Sequence, residues 1–134
     1  MTVVVCTDTR GGMLFLGRRV SRDREILADL ATLGGRLICH PFSEKYLASA
    51  PCPVTVLADP FSEGEEGDVL FVESLPLRPH LDKIEMIIRY SFEERYPFDT
   101  ALDVDPIAEG FRLAACCELV GHSHPTMKKE VYVK

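Results

Sequence analysis

No apolar run in this chain is long enough to cross a bilayer. The opening stretch Met1-Thr2-Val3-Val4-Val5-Cys6-Thr7-Asp8 also lacks a basic segment. A signal peptide needs a basic segment and a longer apolar run, so a cytoplasmic location is expected and no membrane partner is. Basic residues are in deficit as well, with a net charge of −6. Nucleic acids and anionic membranes are held by a surplus of lysine and arginine, so neither is an expected partner. The local exception is Arg18, Arg19, Arg22 and Arg24, which reads as a solvated face with phosphate binding as its functional alternative. The five cysteines form no regular framework. Cys6 and Cys39 sit inside apolar runs and read as buried thiols, while the adjacent Cys116 and Cys117 point to opposite faces of a strand. Reduced thiols are the simplest account. The sequence has no internal repeat, linker or low-complexity segment, no phosphate-binding glycine loop and no serine–histidine–aspartate signature.

What is present suits one α/β domain over residues 1–134, with 46% hydrophobic residues for the core. Thr2 to Cys6 is a continuous β-branched run and predicts a strand buried on both faces. Gly11-Gly12 marks a turn. Ser21 is the expected N-cap of a first helix that buries Ile26, Leu27, Leu30 and Leu33 and ends at Gly34-Gly35. Arg36 to His40 predicts a second strand, and Pro41 opens a short helix to about Ala50. Further strands are expected at Val54 to Ala58, Asp68 to Glu73 and Ile84 to Phe92, with a loop at Asp59 to Gly67. Phe111 to Val120 alternates Leu113, Ala115, Cys117 and Leu119, predicting a half-covered antiparallel strand paired with Lys129 to Lys134 across a turn at Gly121 to Thr126. The expected fold is therefore a mainly parallel central sheet, with helices on both faces and a C-terminal antiparallel hairpin.

This order resembles the dihydrofolate reductase family. Asp8-Thr9-Arg10-Gly11-Gly12-Met13 looks like that family's glycine loop after its first strand. Arg36 to Leu47 looks like its second strand and following helix. Lys83 to Phe92, Phe98-Asp99-Thr100, Asp103 to Pro106 and the final hairpin look like its C-terminal third. The resemblance implies a dihydrofolate reductase-like fold, but the family's cofactor-binding residues are missing. Where the family carries Gly-Arg for the dinucleotide phosphates, this chain has His40-Pro41, and proline has no N–H to give a phosphate. Where the family has a glycine run under the pyrophosphate, this chain has Val72-Glu73-Ser74, and Glu73 opposes a phosphate. No cofactor-binding residue is assigned and no NADPH binding is expected.

On the substrate side, the resemblance implies a carboxylate at the start of the first helix. Asp23 and Glu25 are the candidates, and a strict count falls on Arg24. The structural alternative is that both acids only complement the helix dipole. The expected pocket lies between the first strand and first helix, with Cys6 and Thr7 as its floor, Ile26 and Leu27 as a wall, Tyr46 at the rim, and Asp23 or Glu25 as its polar end. The expected occupant is a small heteroaromatic molecule; a protein partner, including a second copy forming a homodimer, is the competing expectation. Two other functions stay open. One is an active reductase with a modified or partner-completed cofactor site. The other is a metal-dependent hydrolase or nuclease using His122 and His124, a His-x-His pair for which the sequence supplies no third ligand and therefore no metal assignment. Cys39-His40 are neighbours on a strand and face opposite sides, which argues against a nucleophile–base pair.

Overall fold

The β-branched opening run becomes the centre of a seven-stranded sheet. In the computed structural model, which describes residues 1–134, β1 (Thr2–Thr7) is followed by β2 (Gly12–Phe15), β3 (Arg18–Arg19), α1 (Arg24–Leu30), β4 (Leu37–Cys39) and α2 (Glu44–Leu47). Next come β5 (Val54–Val56), α3 (Pro60–Glu63), β6 (Val69–Val72), β7 (Met86–Phe92), β8 (Thr100–Ala101), β9 (Arg112–Leu119) and β10 (Met127–Val133). The sheet order is β5-β4-β6-β1-β7-β10-β9. β1 pairs parallel with β6 and with β7, and β4 pairs parallel with β5 and β6. β10 runs antiparallel to both β7 and β9, so the C-terminal hairpin closes the sheet. A small second sheet, β3-β2-β8, stands beside it. No helix is long and apolar enough to cross a membrane.

Burial on both faces follows from the lack of alternation in β1. Val3 and Val5 join one core with Met13, Leu14, Ile38, Phe61, Leu70 and Ile87. Val4 joins the other with Ile26, Leu27, Leu30, Leu47, Phe71, Tyr90 and Phe92. α1 and α2 cover the second face. The first is covered by β2, the short α3 and a broken 3₁₀ stretch at Arg78–Lys83.

Three expectations change. The N-cap of α1 is Asp23 rather than Ser21: Asp23 has extended backbone and accepts a hydrogen bond from the Glu25 N–H at 3.0 Å. The stretch from Asp59 to Gly67 is not wholly loop, because Pro60–Glu63 forms a helical turn that buries Phe61. β9 is not half-covered: every residue from Arg112 to Glu118 is exposed. The alternation of β9 has nothing to face, because the covering elements sit over β1, β4, β6 and β7 while β9 closes the end of the sheet.

Candidate functional site

The C-terminal ends of the parallel strands are where an open α/β sheet leaves a crevice. Here that crevice is filled. Glu73, just past β6, is 7% exposed, and the Arg19 guanidinium clamps it through Nε and Nη2 at 2.5 and 2.8 Å. The Ser43 hydroxyl donates to the same carboxylate at 2.7 Å. Arg19 also lies over the Tyr46 ring, 4.8 Å from its centroid. The space left between Cys6, Met13, Arg19, Ser21, Tyr46, Phe71 and Glu73 is about 10 Å³, room for no more than a water molecule. Glu73 is thus not a bare charge, and one arginine of the basic cluster turns inward to neutralise it.

The residues anticipated for a pocket between first strand and first helix divide: Cys6 and Tyr46 border this filled space, whereas Asp23, Leu27 and Tyr46 line an open cleft beside it. Thr7, Ile26 and Leu27 are buried, and Cys6 and Tyr46 are half-buried. The Thr7 Oγ1 is buried with no hydrogen-bond partner. Burial raises the Cys6 thiol far above its ordinary value, the Glu73 charge adds to that, and Arg19 only partly offsets it. Such a thiol stays protonated and is no nucleophile. Cys39 is likewise pushed up to about 11 by burial and by Glu44 and Glu73. His40 is structural, because its Nδ1 accepts the Phe42 N–H at 3.1 Å and caps the turn that starts at Pro41.

The open space lies just outside. A cleft of about 840 Å³ is lined by Gly17, Arg18, Arg19, Ser21, Arg22, Phe42, Lys45, Glu94, Tyr96, Ser123 and His124. A second, of about 640 Å³, shares Arg22, Lys45 and Ser123 with it and reaches Asp23, Arg24, Leu27, Tyr46 and His122. Arg18, Arg22 and Lys45 are exposed and make no ion pair. The cleft therefore presents unneutralised positive charge on a chain that is acidic overall.

Asp23 organises the wall between the two spaces. Its carboxylate is 1% exposed and accepts the backbone N–H groups of His122, Ser123 and His124 at 2.8, 2.8 and 3.1 Å. The β9–β10 turn is thereby tied to the start of α1. Gly121 has no side chain because none fits: a Cβ there would stand 2.6 Å from Asp23 Oδ2. Asp23 also receives His124 Nδ1 at 2.8 Å, while His124 Nε2 meets Ser21 Oγ at 2.7 Å. A carboxylate can only accept, so Nδ1 carries a proton, and in the neutral imidazole Nε2 accepts from the serine hydroxyl. Burial alone would raise the Asp23 pKa, but the His124 hydrogen bond and the backbone donors hold it well below the usual carboxylate range.

The two acids expected at the first helix therefore part company. Asp23 is a buried hub, and Glu25 is exposed and lines neither cleft. The strict-count alternative, Arg24, reaches His122 Nε2 through Nη2 at 2.6 Å. His122 and His124 are both engaged with protein partners, and no group of three metal-ligating side chains gathers anywhere in the chain. The absence of a serine–histidine–aspartate signature in the sequence did not prevent the fold from assembling one, with Ser21 and His124 103 positions apart. No spacing rule spans that distance. Only the expectation that the final hairpin turn folds back towards the first helix could have raised it.

No known family's sequence pattern matches the chain, and no curated protein matches it by sequence. Among solved structures it is similar to dihydrofolate reductase from Enterococcus faecalis, a structure complexed with NADP(H) and the compound RAB-propyl. The two share 13% identity with a TM-score of 0.70, over 98% of this chain and 94% of that one. With the strand order above, this establishes the dihydrofolate reductase fold.

Proposed function

We propose that this protein is a dihydrofolate reductase-fold binding protein that works without NADPH. Its ligand is a small anionic heteroaromatic molecule, held in the cleft bounded by the Gly17–Arg22 segment, Lys45 and the Gly121–His124 turn. One observation carries the reading. The crevice at the strand ends is occupied by the Arg19–Glu73–Ser43 network, while the adjoining cleft offers the unpaired cations Arg18, Arg22 and Lys45. Cations without carboxylate partners attract anions, and Phe42 and Tyr96 add aromatic faces on which a flat ring can lie. A phosphate run along β4 and β6 would meet Pro41, which has no N–H, and the carboxylate of Glu73. A reductase using this fold would first have to break the Arg19–Glu73 pair.

Titration calorimetry tests the reading with NADPH, a pteroylglutamate and a purine nucleoside monophosphate. NADPH should give no binding heat at micromolar concentrations, and at least one of the smaller anions should bind. That binding should weaken roughly tenfold for each of Arg22→Ala and Lys45→Ala and fall with added salt. A micromolar dissociation constant for NADPH would overturn the cofactor-free reading. Equal binding by the wild type and an Arg22→Ala/Lys45→Ala double variant would overturn the cleft assignment.

A further inference from the structure

The sequence offers His122-Ser123-His124 as a metal motif, but the fold puts His124 to a different use. We propose that Ser21, His124 and Asp23 form a nucleophilic relay that hydrolyses carboxylic esters bearing a negative charge. The charge of the substrate rests on the cleft reading above; the relay itself stands on separate geometry.

That geometry has three parts. Ser21 Oγ lies 2.7 Å from His124 Nε2, and His124 Nδ1 lies 2.8 Å from Asp23 Oδ2. This is the order nucleophile, base, orienting acid, with both links at hydrogen-bond length. The far end is rigid: Asp23 is 1% exposed, His124 is 7% exposed, and three backbone N–H groups hold the carboxylate in place. The Phe92 ring, 4.5 Å from the imidazole, packs against it. The near end is accessible: Ser21 is half-buried and borders the 840 Å³ cleft together with His124. The backbone N–H groups of Ser21 and Arg22 have no backbone acceptor and stay free to donate to a bound group. A purely structural serine–histidine contact would not need to open onto a cationic cleft.

In the reaction, Ser21 Oγ attacks the ester carbonyl carbon as its proton passes to His124 Nε2. Collapse of the tetrahedral intermediate breaks the bond to the alkoxy oxygen, which takes that proton and leaves as the alcohol. Water then attacks the acyl-serine, giving its proton to Nε2. The acid departs as Ser21 Oγ regains a proton, so the sum is ester plus water giving acid plus alcohol. Asp23 does not touch the substrate; it is a positioning residue that keeps Nδ1 protonated and the ring aligned. Arg18, Arg22 and Lys45 select an acyl or alcohol portion that carries a carboxylate or phosphate.

Two assays test this on the full chain. The first treats the folded protein with a fluorophosphonate and locates the adduct by peptide mass spectrometry. The second compares hydrolysis of p-nitrophenyl acetate with that of p-nitrophenyl hydrogen glutarate. The expected results are modification of Ser21, faster turnover of the anionic ester, and a loss of about 100-fold or more in both Ser21→Ala and His124→Gln. Ser21→Ala removes a single half-buried oxygen, and circular dichroism confirms that the variant is folded. A folded wild type that is not modified at Ser21, or hydrolysis that survives in Ser21→Ala, overturns the relay even if calorimetry shows anion binding in the cleft. Equal turnover of the two esters through Ser21 overturns the charge selection while leaving the relay in place.

Discussion

At the scale of single residues, burial decides chemistry. The five cysteines divide by environment: Cys116 and Cys117 are exposed, Cys6 and Cys52 are intermediate, and Cys39 is buried. Thiol titration with Ellman's reagent in native buffer should show Cys116 and Cys117 reacting first. Cys6 and Cys39 should react only on the timescale of unfolding, because burial suppresses their thiolates. Fast modification of Cys6 in the native protein would contradict the packed crevice. The Arg19–Glu73 pair makes the same argument with charge. Removing Glu73 leaves the half-buried Arg19 guanidinium and the buried Ser43 hydroxyl without their acceptor, so Glu73→Leu should destabilise the fold by roughly 1–3 kcal/mol. The double variant Arg19→Met/Glu73→Leu should recover most of that loss, as the midpoint of urea unfolding will report. Thr7 is the opposite case. Its hydroxyl is buried and unpaired, so Thr7→Val should be neutral or stabilising by up to about 1 kcal/mol; a large loss would reveal an unseen partner for Oγ1.

At the scale of elements, the β9–β10 turn matters most, because it brings His124 to the start of α1. It is held by three N–H bonds to one carboxylate, and it passes so close to Asp23 that Gly121 must be glycine. Gly121→Ala should therefore shift the turn and separate His124 from Ser21. In NMR spectra this should appear as displaced His124 ring resonances, with little change in the core methyl signals of Ile26 or Val4. Unchanged His124 resonances would mean that the turn tolerates a side chain and that Asp23 is not its anchor. The sequence is unevenly legible in this region. The strand before the turn follows from its alternation, the strand after it from its place as the returning partner, and Asp23 stands out as an acid at a helix start. Ser21 suits an N-cap by residue type, but the chain enters the helix two residues later and frees the hydroxyl for His124. Capping preferences are local, whereas the competition between Ser21 and Asp23 is settled by a turn about 100 positions away.

For the whole molecule, buried carboxylates couple the fold to pH. Asp8 is 2% exposed and accepts N–H groups from Arg10, Gly12 and Tyr96 at 2.8, 2.8 and 3.1 Å, tying the glycine loop to the loop that follows the neighbouring strand β7. Burial works to raise its pKa, but these donors and Arg10 outweigh it and hold the group below its ordinary value, as happens at Asp23. A folded-state pKa below the unfolded one contributes stability that is complete above the ordinary carboxylate value of about 4 and drains away as pH falls through the folded value. The stability that these two carboxylates contribute should therefore be constant from pH 7 to 5 and fall below about 4. Asp8→Asn should start lower at pH 7 and lose less between pH 5 and 2, as urea unfolding at each pH will show. What the sequence by itself determined is the dihydrofolate reductase-like layout: continuous apolar runs specify strands buried on both faces, and alternation with turn residues specifies the closing hairpin. Those signals act over a few residues and survive at 13% identity to a solved structure of the same fold. Only the tertiary structure decided that Arg19 and Glu73 fill the crevice at the strand ends, that β9 lies bare on both faces, and that Ser21, Asp23 and His124 meet. Each of these depends on which distant groups share a small volume, and local residue preferences carry no information about that.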